Sequence, residues 1–167
     1  YNVAALGDVN GDGFDDFAVG APGAIDILAG TTIVGAGAVF VYFGSATGPS
    51  TTPSKVLRAN TVNTYALFGF SIAGGNVIGN SRNDIIVGAP GDSYSILLNG
   101  LPTNVTAGKV YIFRGEDLTT ANPIATVSLS AAGTPGTSFS VNPLFGFSVA
   151  AAEDMNGDGL GEVVVGS

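Results

Sequence analysis

Three phrases recur in the same order along this 167-residue chain. Val19-Gly20-Ala21-Pro22-Gly23 returns as Val87-Gly88-Ala89-Pro90-Gly91 and begins again as Val165-Gly166. Gly37-Ala38-Val39-Phe40-Val41-Tyr42-Phe43-Gly44 is matched by Gly108-Lys109-Val110-Tyr111-Ile112-Phe113-Arg114-Gly115, and Leu67-Phe68-Gly69-Phe70-Ser71-Ile72-Ala73 by Leu144-Phe145-Gly146-Phe147-Ser148-Val149-Ala150. The offsets are 68, 71 and 77 residues, so one structural unit repeats and its loops absorb the insertions.

Each unit divides into four short strand candidates separated by turn residues, in the second unit Gly69–Ala73, Asp84–Gly88, Lys109–Phe113 and Ala125–Ser130. The third strand of each unit is apolar without alternation, which requires cover on both of its faces. A four-stranded antiparallel sheet stacked between two copies of itself provides that cover, so the expected fold is all-β, a β-propeller of four-stranded blades. A two-sheet sandwich would show cleaner polar alternation and no repeat of this length. Glycine at 26 positions and charged residues at only 11% argue against a helical bundle. Divided by repeat, residues 1–60 make one blade lacking its leading Phe-Gly, 61–133 a second, and 134–167 the first half of a further blade. Propellers close with about four to eight blades. About two and a half blades therefore predict that the rest of one propeller domain comes from a longer chain or from other copies of this one.

Between the first and second strands of two units lies an acidic loop: Asp8-Val9-Asn10-Gly11-Asp12-Gly13-Phe14-Asp15-Asp16, and Asp154-Met155-Asn156-Gly157-Asp158-Gly159-Leu160-Gly161-Glu162. Side-chain oxygens fall at positions 1, 3, 5 and 9, with glycine at 4 and 6 to permit a sharp turn and a backbone carbonyl available from Phe14 or Leu160 at position 7. That pattern suits one hard cation, Ca²⁺, in each loop. An EF-hand is excluded because its bidentate position 12 is occupied by Val19 or Val165, inside a β-branched run rather than a helix. Hairpin-turn chemistry alone would not call for acids at positions 1, 5 and 9, whose mutual repulsion needs a counter-charge. In the second unit the same positions hold Asn76, Ile78, Asn80, Arg82 and Asp84, so that loop is expected to have lost its ion and to satisfy its turn through Asn76, Asn80 and Asp84.

Taken together, Phe-Gly-Phe-Ser-(Ile/Val)-Ala, Asp-x-Asn-Gly-Asp-Gly-x-x-(Asp/Glu), Val-Gly-Ala-Pro and Gly-x-Val-(Tyr/Phe) resemble the FG-GAP repeat of the integrin α-subunit propeller over almost the whole chain. The resemblance implies that Asp8, Asn10, Asp12, Phe14 and Asp16, and likewise Asp154, Asn156, Asp158, Leu160 and Glu162, hold about two structural calcium ions. It also implies an extracellular or cell-surface scaffold for adhesion or for protein or glycan binding. The alternatives are an accessory propeller domain of a secreted enzyme, or an architectural subunit of a surface layer or filament.

Thirteen acidic against five basic residues give a net charge of −8, which disfavours nucleic acid as a partner. The longest apolar run, Ala38 to Phe43, is far shorter than the ~20 residues of a membrane span, so no membrane insertion by this segment is expected. Without His or Cys, His-based triads and thiol nucleophiles are impossible within the chain, and the expectation is no enzymatic activity. Asp26, Asp92, Glu116 and Asp117 remain formally available for paired-carboxylate chemistry but read as solvated loop acids. Tyr65 and Tyr94 are candidates for a contact surface, and Asn104-Val105-Thr106 matches a glycosylation acceptor expected in a loop.

Overall fold

The computed structural model describes residues 2–79, 81–98, 101–120, 123, 125–130 and 144–167. Two four-stranded antiparallel sheets and one strand pair follow the repeat. The first sheet joins β1 (Asn2–Gly7), β2 (Asp16–Ala21), β5 (Ala38–Tyr42) and β6 (Lys55–Leu57), with a small hairpin of β3 (Asp26–Leu28) and β4 (Thr31–Ile33) inserted between its second and third strands. The second joins β7 (Ser71–Gly75), β8 (Asp84–Ala89), β11 (Lys109–Phe113) and β12 (Val127–Ser130), with the hairpin β9 (Ser93–Leu98) and β10 (Leu101–Thr106) inserted at the same place. A third begins with β13 (Ser148–Ala151) paired to β14 (Val163–Gly166). Apart from a 3₁₀ turn at Gly115–Thr119, the described residues contain no helix. The chain is an all-β partial propeller, and its sheets do not close on themselves.

The registers show why the third strand of a blade carries no alternation. Val87 pairs with Ile72 on one side and Tyr111 on the other. Ile85, Val87, Tyr111 and Phe113 of the second blade are buried with Leu6, Val39, Val41 and Leu57 of the first. The alternate residues Ile86, Val110 and Ile112 pack instead with Val149, Val163 and Val165 of the third. Every residue of β8 is buried, as a sheet covered on both faces requires. Each such aliphatic side chain contributes roughly 1.5–3 kcal/mol on burial.

The repeated phrases are where one blade meets the next. Phe68 is fully buried, in edge contact with Tyr111 at 5.4 Å and Phe113 at 6.0 Å. Its backbone forms a parallel bridge with Gly37 of the preceding blade, and Phe68 N donates to Ala36 O at 3.2 Å. One unit later Phe145 bridges Gly108, and its N–H donates to Ala107 O at 3.1 Å. A β-carbon on Gly20 would collide with the carbonyl of Gly69, and one on Gly88 with the carbonyl of Gly146. Glycine is needed in Val-Gly-Ala-Pro because the next blade's Phe-Gly carbonyl lies against it. Leu67 and Leu144, at the start of the two phrases, both adopt left-handed backbone with φ of 57° and 44°.

The inserted hairpins lie beyond the four-strand expectation. The first turns through Ala29 and Gly30 with φ of 50° and 81°, a primed turn in which alanine stands where Asn or Asp is usual, so the sequence carried little signal for it. The remaining strand boundaries differ from expectation by no more than two residues, except that β3, β4, β9 and β10 fall in segments expected to be loops.

Candidate metal centre

The acidic loops connect the first and second strands of their blades, and both fold around the position-1 carboxylate. In the first loop, Asp8 Oδ1 accepts Gly11 N at 2.6 Å and Asp12 N at 3.1 Å, while Asp8 Oδ2 accepts Gly13 N at 2.8 Å. In the third, Asp154 accepts Gly157 N at 2.6 Å, Asp158 N at 3.2 Å and Gly159 N at 2.8 Å in the same pattern. Asn10 Oδ1 accepts Asp12 N and Asn156 Oδ1 accepts Asp158 N. Phe14 N and Leu160 N each donate to the position-5 carboxylate at 2.9 Å. The turn needs Gly11 and Gly13 at φ of 80° and 89°, matched by Gly157 and Gly159 at 82° and 89°.

The two loops differ at their closing acid. Asp154, Asp158 and Glu162 bring carboxylate oxygens within 4.8 Å of one another. Oxygens on opposite sides of one Ca²⁺ at ~2.4 Å are about 5 Å apart, so this cluster has the size of a single coordination sphere. Among the described residues no other three carboxylates converge so closely, and Asp8, Asp12 and Asp16 do not. Asp16 is buried, and both of its oxygens are engaged, Oδ2 by Val9 N at 2.9 Å and Oδ1 by Gly44 N at 2.8 Å. Glu162 is one methylene longer and reaches the loop while Oε2 still accepts Met155 N at 2.7 Å. The third loop flanks a cleft of about 420 Å³ lined in part by Asn76, Asn83, Glu153 and Asp154.

The electrostatics of the loops follow this geometry. Burial raises the Asp8 carboxyl, but the N–H groups of Gly13, Gly11 and Asp12 outweigh it and Arg82 adds to them, so Asp8 titrates below the ordinary carboxylate range. Asp154 is held below that range chiefly by Gly159 N–H, with Gly157, Asp158 and Asn156 assisting against desolvation. Asp16 goes the other way. Desolvation pushes it up, Gly44 and Val9 N–H oppose, and repulsion from Asp12 and Asp8 adds to the rise. The two N–H groups hold the Asp16 carboxyl against the cost of its burial.

The middle loop keeps the closing acid without the rest. Asp84 is fully buried, its Oδ2 accepts Val77 N and Ile78 N at 2.9 Å, and its Oδ1 accepts Gly115 N at 3.3 Å. Gly115 corresponds to Gly44, so Asp84 repeats the tether made by Asp16. This agrees with its expected role of satisfying the turn; Asn80 lies outside the described residues.

One of the other acids departs from the solvated-loop expectation. Asp92 is fully buried and accepts Tyr111 Oη, Asn63 Nδ2, Ser93 N at 2.7 Å and the ammonium of Lys109 at 3.5 Å. Sequence offered no sign of this, because the four partners come from three separate segments. Burial and then the Asp92 contact push the Tyr111 hydroxyl far above its ordinary value. Asp26 pairs with Arg58 at 3.3 Å, Glu116 with Arg114 at 3.4 Å, and Asp117 accepts Thr126 Oγ1 at 3.1 Å. Tyr65 is exposed, while the Tyr94 side chain lies outside the described residues. Asn104 is exposed on strand β10 opposite Ser95, in a hairpin rather than a loop. No helix among the described residues is long and apolar enough to cross a membrane.

Comparison with known proteins agrees with the repeat. Residues 1–42 match the FG-GAP repeat family. The chain is 42% identical over 96 residues to integrin alpha-7 of Rattus norvegicus, covering 57% of this chain and 8% of that protein. It is 43% identical over 95 residues to integrin alpha-6 of Homo sapiens, covering 56% and 7%. Integrin alpha-PS2 of Drosophila melanogaster is 40% identical over 92 residues, covering 52% and 6%. The chain thus spans less than a tenth of the length of these curated relatives.

Proposed function

From the premise of a chain carrying FG-GAP repeats similar to those of integrin α-subunits, we propose that it is a calcium-stabilised propeller segment of an extracellular or cell-surface protein. Its role is a non-enzymatic scaffold for adhesion or for protein or glycan binding. Blades spanning residues 1–60 and 61–133, and the first half of a further blade at 134–167, stack with blades supplied by a longer chain or by other copies.

The observation that carries the metal assignment is the convergence of Asp154, Asp158 and Glu162 within 4.8 Å on a loop whose backbone hydrogen bonds repeat those of the Asp8 loop. Asp154, Asn156, Asp158, Glu162 and the Leu160 carbonyl would hold one ion, and Asp8, Asn10, Asp12, Asp16 and the Phe14 carbonyl another. A bound Ca²⁺ would supply two positive charges to a loop that otherwise holds four carboxylates in the first unit and three in the third. The protein's own part is to fix the oxygens in advance, which the N–H groups at positions 4, 5 and 6 do at Asp8 and Asp154. Binding to the folded state alone raises stability by mass action.

Calcium titration by calorimetry is expected to show about two sites, each removed separately by Asp12→Ala and Asp158→Ala, with a matching loss of calcium-dependent thermal stability. Binding and stability unchanged in both variants would sink the assignment.

A further inference from the structure

The loops of successive blades stack in register. The N–H at position 8 of one loop donates to the position-1 carbonyl of the loop before it: Asn83 N to Asp8 O at 3.3 Å, and Gly161 N to Asn76 O at 2.8 Å. The side chain at position 7 covers the position-4 glycine of the preceding loop in both cases. A β-carbon on Gly79 would lie 3.1 Å from Leu160 Cδ2, and one on Gly11 would lie 2.6 Å from Arg82 Nε and 3.0 Å from its Cζ. The same structural position therefore holds leucine where the loop beneath has only Asn76 and Ile78 at positions 1 and 3. It holds a guanidinium where the loop beneath carries Asp8 and Asp12.

Arg82 is one of only five basic residues in the chain, and its place is fixed from below. Asn83 Nδ2 donates to Leu6 O at 2.7 Å, at the root of the first loop. Gly115 leaves room for Val9 O and Asn83 O, with Arg82 Cβ beside them. The guanidinium thus arrives over the first loop as part of the blade-to-blade contact.

We infer that Arg82 is a counter-charge for the first acidic loop, offsetting the repulsion among that loop's carboxylates when no divalent cation is bound and weakening its affinity for the cation. This rests on the metal reading of the first loop given above. Arg82 is a positioning residue: the ligands remain those of residues 8–16, and a neighbouring blade that has lost its own site sets how tightly they bind. A unit charge next to a divalent ion at a solvated surface changes its affinity on the order of three- to tenfold, and screening by salt reduces the effect.

The test is calorimetric titration of the full chain with calcium alone, in a background of Asp158→Ala that leaves the first loop to bind. Arg82→Met keeps the side-chain stem and removes the charge; Arg82→Lys keeps a charge. Arg82→Met is expected to bind calcium about three- to tenfold more tightly than the parent at low salt, with the gap narrowing at ~0.5 M salt. Arg82→Lys is expected to stay within about twofold of the parent. In chelator, the Arg82→Met chain should melt at a lower temperature than Arg82→Lys. Equal affinities for the Met and Lys variants, or weaker binding by Arg82→Met, would overturn the inference while leaving the metal assignment intact. No calcium binding by the parent chain at either loop would overturn the metal assignment and this inference with it.

Discussion

Replacing Gly88 with alanine tests the account of how blades join. The new methyl would overlap the carbonyl oxygen of Gly146 and the hydroxyl of Ser71, both inside the 3.0 Å that real β-carbons essentially never breach. Ser71 can rotate away only by giving up its hydrogen bond to that carbonyl, 2.8 Å long, at a cost of about 1 kcal/mol. The carbonyl belongs to backbone, so the third blade must shift, which for an overpacked site costs roughly 1–3 kcal/mol. Against this, alanine restricts the unfolded chain and returns about 0.4–1 kcal/mol. The net expectation is a loss of about 1–3.5 kcal/mol, or roughly 2–14 °C in Tm for a chain of this size. Gly23→Ala is the control. It sits in the same repeated phrase, yet nothing lies within 4 Å of its added carbon, and its stability should stay within about 0.5 kcal/mol of the parent. Urea unfolding followed by circular dichroism reads both. If Gly88→Ala matches Gly23→Ala, the carbonyl contact is not what holds the blades in register.

Asp84→Ala should cost about 3 kcal/mol whether or not calcium is present, since it strands the N–H groups of Val77, Ile78 and Gly115; a loss that calcium restores would contradict the tether role. Phe68→Ala empties a fully buried site between two blades and is expected to lower stability by about 3–5 kcal/mol in thermal or urea unfolding. A loss under about 1 kcal/mol would mean that Tyr111 and Phe113 collapse into the space. The Tyr111 hydroxyl holds its proton more tightly folded than unfolded, so the stability this contributes is full below the unfolded tyrosine value of about 10 and is lost as pH rises above it. Tyr111→Phe should flatten the alkaline limb of the stability profile, and phenolate absorbance should show Tyr111 silent until unfolding; early ionisation would refute the buried pairing with Asp92.

The repeat was readable because each phrase answers a local backbone demand. Gly20 and Gly88 admit a neighbour's carbonyl, Phe68 fills a pocket between Tyr111 and Phe113, and the apolar run Val110–Phe113 divides its side chains between two flanking blades. The acidic loops were readable for the same reason, since alternating Asp and Asn side chains and two glycines specify a turn on their own. What stayed hidden depends on contacts between distant segments. Asp92 draws its partners from Asn63, Ser93, Lys109 and Tyr111, and no spacing rule links them. Arg82 reads in isolation only as part of a loop that has lost its ion, and its contact with Gly11 arises only when two blades stack. The closing acids show a third limit: Asp16 and Glu162 occupy the same position in the pattern, yet one is tied to Gly44 and the other to Met155, and only the second joins its neighbours.

The contact between blades has a direction. Each blade offers a Phe-Gly carbonyl backwards and a bare glycine forwards, as Gly69 does to Gly20 and Gly146 to Gly88. A polar, head-to-tail contact of this kind applies a similar rotation at every step, and such a series makes a ring where the rotation closes and an open stack where it does not. At each step one carbonyl lies against one α-carbon. A side chain placed on either glycine would therefore push the following blade away from the one before it.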